Sequence, residues 1–336
     1  MSEKNSRVLA REWPYDRCNA FKEELRKAAS EWFKKRKYRC HPSMPYCLPS
    51  YEGWRKNIIC DDVVSLIDAE RGVDHEKQLE EQQEDYRESG NGFPLHKYIH
   101  HGLSSQALAF NLVGPLFQRN DIEPLIQALA DAGISWRDDD KTRCAIFEYE
   151  DRQTFNEDSG QPTSIDVVLY GSQTRVFIEV KLTESEFGGC SVFAAGDCEG
   201  KMPSHDDLGE CYLHHINRKY WVLAKEHGLL QMPMFNGAIC PFASYYQFYR
   251  ELLFALAHDG AFVLLHDERN PAFMRIRKDG TGEPRGLWPL LTEGIPDHLK
   301  NRVGRITVQT LVKKIEASGR HDDWIGEFKK KYALKP

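Results

Sequence analysis

Residues 164–182 read SIDVVLYGSQTRVFIEVKL, with apolar side chains at alternate positions on both sides of Gly171 and Ser172. Alternating β-branched residues interrupted by a Gly-Ser pair are typical of two strands joined by a tight turn. Successive side chains of a strand point to opposite faces of the sheet, so Glu179 and Lys181 share one face and Val180 lies on the other. The sequence therefore predicts a hairpin whose second strand has a charged face and an apolar face.

Two carboxylates face each other in this hairpin if its turn is centred on residues 172 and 173, because Asp166 then lies opposite Glu179. Like charges at opposed positions destabilise a strand pair. A divalent cation would remove the repulsion if Asp166, Glu179 and the carbonyl of Val180 held it, with Lys181 alongside. Mg²⁺ and Mn²⁺ prefer such oxygen ligands. The alternative is an ordinary solvated strand face on which Glu and Lys alternate.

The preceding strand is predicted from residues 143–150, which read RCAIFEYE. Strict alternation would place Ile146, Glu148 and Glu150 on one face. We predict Glu148 as an additional metal ligand, with Glu150 as the second candidate. The alternative is that both are charges that protect the edge of a sheet from pairing with another chain.

Length and composition indicate a soluble globular chain of 336 residues, 41% hydrophobic and 29% charged, with a formal charge of −6. Such a length suits one elaborated domain or two small ones. No apolar run approaches the roughly 18 residues of a membrane span, and the first residues lead into no signal-peptide core. Nine cysteines without a secretory signal suggest reduced thiols. We therefore expect a cytoplasmic protein that is not bound to a membrane.

A basic stretch lies near the start of the chain, where residues 21–40 hold eight basic and three acidic residues. Lys34, Lys35 and Arg36 lead into Lys37, Tyr38 and Arg39. An aromatic residue inside a basic run suits contact with a nucleic-acid backbone. It equally suits the solvated end of a helix, where cations are favoured. Both interpretations stay open.

Four cysteines, at positions 190, 198, 211 and 240, follow the hairpin within one region. Four thiolates could hold Zn²⁺ or an iron–sulfur cluster. The gaps between Cys190, Cys198, Cys211 and Cys240 are long, and none is a Cys-x-x-Cys pair. Ordinary packing cysteines are the alternative.

Elsewhere the pattern predicts helices and two further strands. Ser104 is expected to cap a buried helix over 104–117, and Thr307 a helix to about 317. Gln247 and Arg250 are polar positions in an apolar helix that begins at Pro241, and they point either into a cleft or into solvent. The segment 74–89 is expected to be an exposed helix or linker. The remaining helices are predicted over 16–39, 54–71, 121–133, 206–227 and 321–334, and the strands over 260–265 and 303–306.

The order helix, three strands carrying Asp…Glu-x-Lys, helix, strand resembles the PD-(D/E)XK nuclease superfamily. The motif residues are Ile165-Asp166 and Glu179-Val180-Lys181. A wider pattern over residues 100–270 looks like a group of bacterial restriction-endonuclease-like proteins, through Ser104-Ser105-Gln106, Phe147-Glu148 and Tyr246-Gln247 with Arg250. Ile165 stands where the superfamily usually has proline. The helix 104–117 lacks the acid that members often carry there, and Glu148 is the residue that could replace it.

The resemblance implies an α/β fold with a restriction-endonuclease-like core, a mixed central sheet flanked by helices. On this basis residues 100–275 form the nuclease-like core. Residues 1–99 form a mostly helical N-terminal extension, and 276–336 add a C-terminal strand and helices packed on the core.

The resemblance also implies Mg²⁺- or Mn²⁺-dependent hydrolysis of DNA phosphodiester bonds by an endonuclease of restriction, defence or repair. Asp166, Glu179, Lys181 and Glu148 would be catalytic, with Gln247 near the substrate, and Arg250, Lys34, Lys35 and Arg36 would contact DNA. A homodimer is left open. Some superfamily members carry a four-cysteine iron–sulfur cluster, which bears on the cysteines here. The rival hypothesis is a catalytically inactive nuclease fold that binds DNA or protein, with a metal bound by the cysteines.

Overall fold

A five-stranded mixed sheet forms the centre of the protein. The structure is a computed structural model that describes residues 19–72, 95–136, 144–157, 162–171, 173–275 and 283–335. The strands follow chain order across the sheet, with β1 to β3 antiparallel and β3 to β5 parallel. They are Cys144–Asp151 (β1), Thr163–Tyr170 (β2), Arg175–Lys181 (β3), Ala261–His266 (β4) and Val303–Thr307 (β5).

Helices cover both faces of the sheet. They are Asn19–Lys35 (α1), Asp61–Gly72 (α2), Ser105–Gln118 (α3), Glu123–Asp131 (α4), Ser191–Ala194 (α5), Tyr212–His215 (α6), Tyr220–Glu226 (α7), Pro241–Ala257 (α8), Leu287–Thr292 (α9), Val308–Ser318 (α10) and Asp322–Lys331 (α11). Short 3₁₀ turns occupy Tyr51–Asn57, Leu229–Gln231, Pro233–Asn236 and Asp297–Leu299.

Two hydrophobic cores lie on opposite faces of the sheet. Residues of α1 to α4, α10 and α11 pack on one face, and residues of α7 and α8 on the other. In β3, Ile178 and Val180 enter the first core and Phe177 enters the second. Burial on both faces also explains why β4 is an unbroken apolar run, as parallel central strands usually are.

The hairpin of 164–182 is confirmed, with β2 and β3 paired from Val167↔Ile178 to Tyr170↔Arg175. The predicted caps are confirmed too. The hydroxyl of Ser104 accepts the N–H of Ala107, and the hydroxyl of Thr307 accepts the N–H of Thr310. Side-chain acceptors at these positions satisfy backbone donors that the first helical turn leaves free.

Several predicted helix boundaries are wrong. Helix α1 ends at Lys35 and not at 39, because Lys37 has a φ of 57°, which a right-handed helix does not accommodate. The predicted helix 206–227 is instead the short α6 and α7, separated at Asn217 with φ 62°. The predicted helix 54–71 divides into a 3₁₀ turn and α2. The prediction for 74–89 lies outside the described residues.

Both ends of the described chain contribute to the central core. Phe21 and Trp54 from the predicted N-terminal extension, and Leu311 and Trp324 from the C-terminal segment, belong to the cluster that also contains Val167 of β2. The C-terminal segment supplies β5, an integral strand of the sheet. In the part of the chain that the structure describes, no helix combines the length and apolar character needed to cross a membrane.

Two glycines give a matched test of this packing. A Cβ at Gly102 would lie 2.7 Å from the Cβ of Ala29 and 2.8 Å from the carbonyl oxygen of Tyr46. We expect Gly102→Ala to destabilise the protein by about 1–3 kcal/mol, because the backbone must move. Gly326 lies inside α11, and a Cβ there would have nothing within 4 Å. Gly326→Ala should stabilise by about 0.5–1 kcal/mol. Urea unfolding of both variants checks this, and equal effects would contradict the packing described.

Candidate active site

Three acidic residues lie side by side where β1, β2 and β3 meet. The register of β1 and β2 places Glu148 opposite Asp166. Extending the β2–β3 register by one residue places Asp166 opposite Glu179, as the sequence predicted. The three carboxyl groups thus form a row across adjacent strands, an arrangement that like-charge repulsion disfavours.

The side chain of Asp166 makes a hydrogen bond to β3 just beyond the last backbone pair of β2 and β3. Its Oδ2 accepts the backbone N–H of Val180 at 2.7 Å, beyond the last paired residues of the two strands. The carboxylate therefore lies between the strands and against the backbone of the Glu-x-Lys segment. This contact fixes Asp166 relative to Glu179 and Lys181.

Glu148 interrupts the alternation of β1 because its φ is 51°. Phe147 packs on Phe110 of α3, with ring centroids 4.8 Å apart, whereas Tyr149 packs on Phe254 of α8, on the other side of the sheet, at 6.0 Å. The prediction that positions 146, 148 and 150 share one alternating face is therefore wrong. Positive φ at a non-glycine residue is a strained conformation that is concentrated at functional sites.

Two polar side chains hold the Glu148 carboxyl group. Gln106 of α3 donates from Nε2 to its Oε1 at 2.8 Å, and the Ser164 hydroxyl donates to its Oε2 at 3.3 Å. The amide oxygen of Gln106 in turn accepts the backbone N–H of His96 at 2.8 Å. Gln106 belongs to the Ser104-Ser105-Gln106 pattern, but no role for its side chain could be predicted from the sequence. The signal was a glutamine inside an otherwise buried apolar helix.

Glu179, Lys181 and Gln247 form a closed ring of polar contacts. Glu179 Oε1 lies 2.7 Å from Lys181 Nζ and accepts the Gln247 Nε2–H at 2.7 Å, while Lys181 donates to Gln247 Oε1 at 2.9 Å. The side chains of Glu179 and Lys181 are only 4% and 8% exposed. A neutral amide suits this place, because it can donate to a carboxylate and accept from an ammonium at once. The prediction that Glu179 and Lys181 share a face is confirmed.

A kink in α8 positions Gln247. Tyr245 has non-helical φ and ψ of −132° and 34°, and the backbone N–H of Gln247 bonds to the Gly188 carbonyl at 3.1 Å instead of continuing the helix ladder. Gly189 allows this approach, because a Cβ there would collide with the Ala243 carbonyl oxygen. The loop that follows β3 is thereby joined to α8 beside the site.

Glu251 is a fourth acid at this site that sequence analysis did not identify. It lies one helical turn after Gln247, its exposure is 0%, and neither carboxyl oxygen has a hydrogen-bond partner among the described residues. The sequence feature that could have indicated Glu251 is an acidic residue in the middle of the apolar run of α8. Buried polar atoms without partners are rare and usually mark a functional or charge-sharing position.

Burial and nearby carboxylates shift the pKa values of Glu148, Asp166 and Glu251 upward. Burial raises the pKa of Glu148 to about 8, with further increases from Glu179 and from Glu150, against hydrogen bonds that act in the opposite direction. Burial raises the pKa of Asp166 well above its usual value, and Glu179 and Glu148 add to the shift. Burial and then Glu179 do the same for Glu251. The site therefore holds more carboxyl groups than it can ionise without a cation.

Lys181 remains cationic in this environment. Burial alone lowers the pKa of a lysine, but the carboxylates of Glu179, Glu184, Glu251 and Asp166 together raise the pKa of Lys181 above its usual value. Its ammonium group therefore supplies a fixed positive charge beside Glu179.

A divalent cation fits the chemistry of this donor set, which is a row of carboxyl oxygens with excess negative charge. The side chains are not yet arranged around an ion. Within the described ranges, no three histidine, cysteine or carboxylate groups converge so as to hold a metal. Glu179 faces Lys181 and Gln247, and Glu148 faces Gln106. Metal binding would therefore require these side chains to reorient.

The remaining predicted site residues lie elsewhere. Arg250 is 18% exposed, lies 4.0 Å from Glu157 and stacks over Tyr246. Arg36 pairs with Glu327 of α11 at 3.3 Å, and Lys35 approaches the same carboxylate at 3.8 Å. Lys34 lines a surface groove with Lys37, Tyr38 and Arg39. DNA contact by Arg250, Lys34, Lys35 and Arg36 stays a prediction.

The mixed sheet and its flanking helices are compatible with a restriction-endonuclease-like core. The chain belongs to the family described as REase-ARP, "Restriction Endonuclease associating with ARP", whose model matches residues 26–333. No curated protein and no solved structure gives a significant match. The family match begins within α1 and ends beyond the last helix, and it supports a restriction-endonuclease-like nature for the chain. The narrower assignment to the PD-(D/E)XK superfamily stays a prediction.

Replacement of Glu251 tests its protonation. Because burial and Glu179 raise the pKa of Glu251 well above its usual value, we expect Glu251→Gln, which imitates the protonated acid, to leave stability within about 1 kcal/mol of the wild type. Glu251→Ala leaves a cavity and should cost about 2–4 kcal/mol. Urea unfolding in EDTA at pH 7 measures both. A cost for Glu251→Gln that equals the cost for Glu251→Ala would show that the group is ionised.

The pH dependence of stability tests Glu148. The unfolded acid loses its proton near 4.5, whereas the folded acid keeps it to about 8, so the folded state binds more protons between these values. In EDTA, the contribution of Glu148 is complete below pH 4.5 and is lost as the pH rises through 8. Glu148→Gln should flatten part of this decline in urea unfolding between pH 5 and 8. An unchanged slope would contradict the assignment.

Proposed function

We propose that the protein is a metal-dependent endonuclease that hydrolyses DNA phosphodiester bonds. The observation that carries the proposal is the row of half-buried Glu148, half-buried Asp166 and buried Glu179 beside the cationic Lys181. Membership of a restriction-endonuclease family supports DNA as the substrate. Restriction, defence or repair is the expected setting.

Asp166, Glu179, Glu148 and the carbonyl of Val180 would hold Mg²⁺ or Mn²⁺. When bound, such an ion polarises the scissile phosphate and lowers the pKa of water. The Lys181 ammonium would lie beside the phosphate and stabilise the negative charge that grows there during attack. Gln247 would hold Lys181 beside the site through the hydrogen bond that its amide oxygen accepts, and would release Glu179 to the ion. Gln106 and Ser164 would keep the Glu148 carboxyl group next to the other acids.

The family description also names association with ARP. We propose that a partner of this kind acts with this chain as well. Co-purification of the chain with ARP from cells that produce both would test the association, and recovery of the chain alone would count against it.

The rival function is binding of DNA or protein by a nuclease fold that does not cleave DNA. One observation favours it, namely that Glu179 and Glu148 are already engaged by neighbouring side chains and that no metal-holding arrangement exists in the described residues. The two functions differ in whether a divalent ion binds at Asp166.

DNA cleavage tests the proposal. Closed circular plasmid is incubated with the protein in Mg²⁺, Mn²⁺ or EDTA, beside Lys181→Met and Asp166→Asn, which nearly conserve side-chain size. We expect metal-dependent nicking or linearisation that each substitution lowers by on the order of 10²–10³-fold. Glu186→Gln, at an exposed position, is the matched control and should cut like the wild type.

Metal binding separates the two functions. Calorimetric titration with Mn²⁺ should show binding that Asp166→Asn weakens strongly and that Lys181→Met retains. The wild type would be a binding module and not an endonuclease if it neither cleaves DNA nor binds Mn²⁺ while Lys181→Met still binds DNA.

A further inference from the structure

Residues 191–217, between β3 and α7, form no hydrophobic core of their own, and Met202, Leu208, Cys211 and Leu213 are only partly buried against the second core. From residue 191 to residue 217, all of which the structure describes, Gly200 is the only buried residue. The regular structure in this stretch is limited to the four-residue helices α5 and α6. Irregular segments longer than about 12–15 residues are uncommon in compact domains. Small units that lack a core are usually held by disulfides or by a metal.

Two backbone hydrogen bonds bring three cysteines to the start of α8. Cys190 donates its N–H to the carbonyl of Phe242 at 3.0 Å, and Cys240 donates its N–H to the carbonyl of Gly200 at 2.9 Å. Gly200 is two residues after Cys198, whose sulfur accepts the Gly200 N–H at 3.3 Å. The backbone segments that carry Cys190, Cys198 and Cys240 therefore lie next to one another where the irregular segment joins the helix.

A fourth cysteine reaches the same place through an aromatic side chain. The Cys211 sulfur accepts the indole N–H of Trp221 at 3.2 Å, and the Trp221 ring lies 5.0 Å from the ring of Phe242. Cys190, Cys198, Cys211 and Cys240 are all free thiols. The segment is thus not held by a disulfide among these four residues.

N–H groups are directed at all four sulfurs. Backbone N–H groups of residues 192 and 193 are directed at the Cys190 sulfur, and those of residues 242 and 243 at the Cys240 sulfur. N–H donors to sulfur stabilise thiolate and are typical of the surroundings of thiolate-bound metals.

We propose that Cys190, Cys198, Cys211 and Cys240 bind one soft metal centre through four thiolates, either Zn²⁺ or an iron–sulfur cluster. The sulfurs do not converge in the metal-free chain, so the centre forms as the metal binds and draws the segment onto the start of α8. This centre is independent of the carboxylate site and of the proposed nuclease activity.

Metal analysis of the full chain tests the centre. The protein is purified without chelator under anaerobic conditions and is analysed for zinc, iron and acid-labile sulfide. About one zinc per chain in a colourless protein identifies a zinc site. Iron with matching sulfide and visible absorption identifies a cluster. Neither metal in stoichiometric amount, both as isolated and after incubation of the reduced protein with Zn²⁺ alone, overturns the proposal.

Cysteine variants locate the centre. Cys198→Ser and Cys211→Ser change partly exposed thiols and should lose the metal. Cys40→Ser changes a partly exposed thiol outside the cluster and should keep it. Full metal in the first two variants, or its loss in the third, contradicts the assignment.

A measurement on the wild type covers the case in which the variants do not fold. Titration with an organomercurial should release the metal in step with thiol modification. Retention of the metal after Cys190, Cys198, Cys211 and Cys240 are all modified would place the metal elsewhere and overturn the proposal.

Discussion

Repulsion among buried carboxyl groups is the constraint on which the centre of this structure depends. Burial raises the pKa values of Glu148, Asp166 and Glu251, the neighbouring Glu179 adds to each shift, and the Lys181 ammonium lies among these groups. Ionising all four without a further cation would be costly in a poorly solvated site. The metal-free protein reduces this cost by keeping some of the acids protonated and by surrounding others with hydrogen-bond donors.

The two faces of the sheet each contribute one amide to this arrangement. Helix α3 provides Gln106 to Glu148, and helix α8 provides Gln247 to Glu179. A glutamine donates a hydrogen bond without adding charge, whereas a second lysine or arginine would neutralise the acids that a metal needs. The irregular backbone at Glu148 and at Tyr245 lies next to these contacts. Strain at the site is thus balanced by the packed cores on either side of the sheet.

Local pattern was enough to predict the strands that carry the site. Period-two alternation and the Gly-Ser turn placed Asp166 opposite Glu179 and separated Lys181 from Val180, because these depend on neighbours in sequence. The caps at Ser104 and Thr307 are equally local. Gln106 and Glu251 could not be assigned in the same way, because their roles arise only when α3 and α8 pack on opposite faces of the sheet. The predicted common face of β1 is wrong because Glu148 has a positive φ, and the predicted helix 206–227 is wrong because Asn217 has one. Periodicity assumes a regular backbone and cannot indicate such residues.

The contacts of Glu179 connect the metal-free structure to the proposed chemistry. Lys181 and Gln247 both contact Oε1 of Glu179. A cation that binds Glu179 would therefore compete with the Lys181 ammonium for the same carboxylate. In the proposed nuclease, a divalent ion held by Glu179 would favour loss of protons from Glu148 and Asp166, whose pKa values burial raises. The ion would share the charge of the Glu179 carboxylate and so weaken the attraction that holds Lys181 there. The Lys181 ammonium would then be able to contact a phosphate, as the proposed function requires.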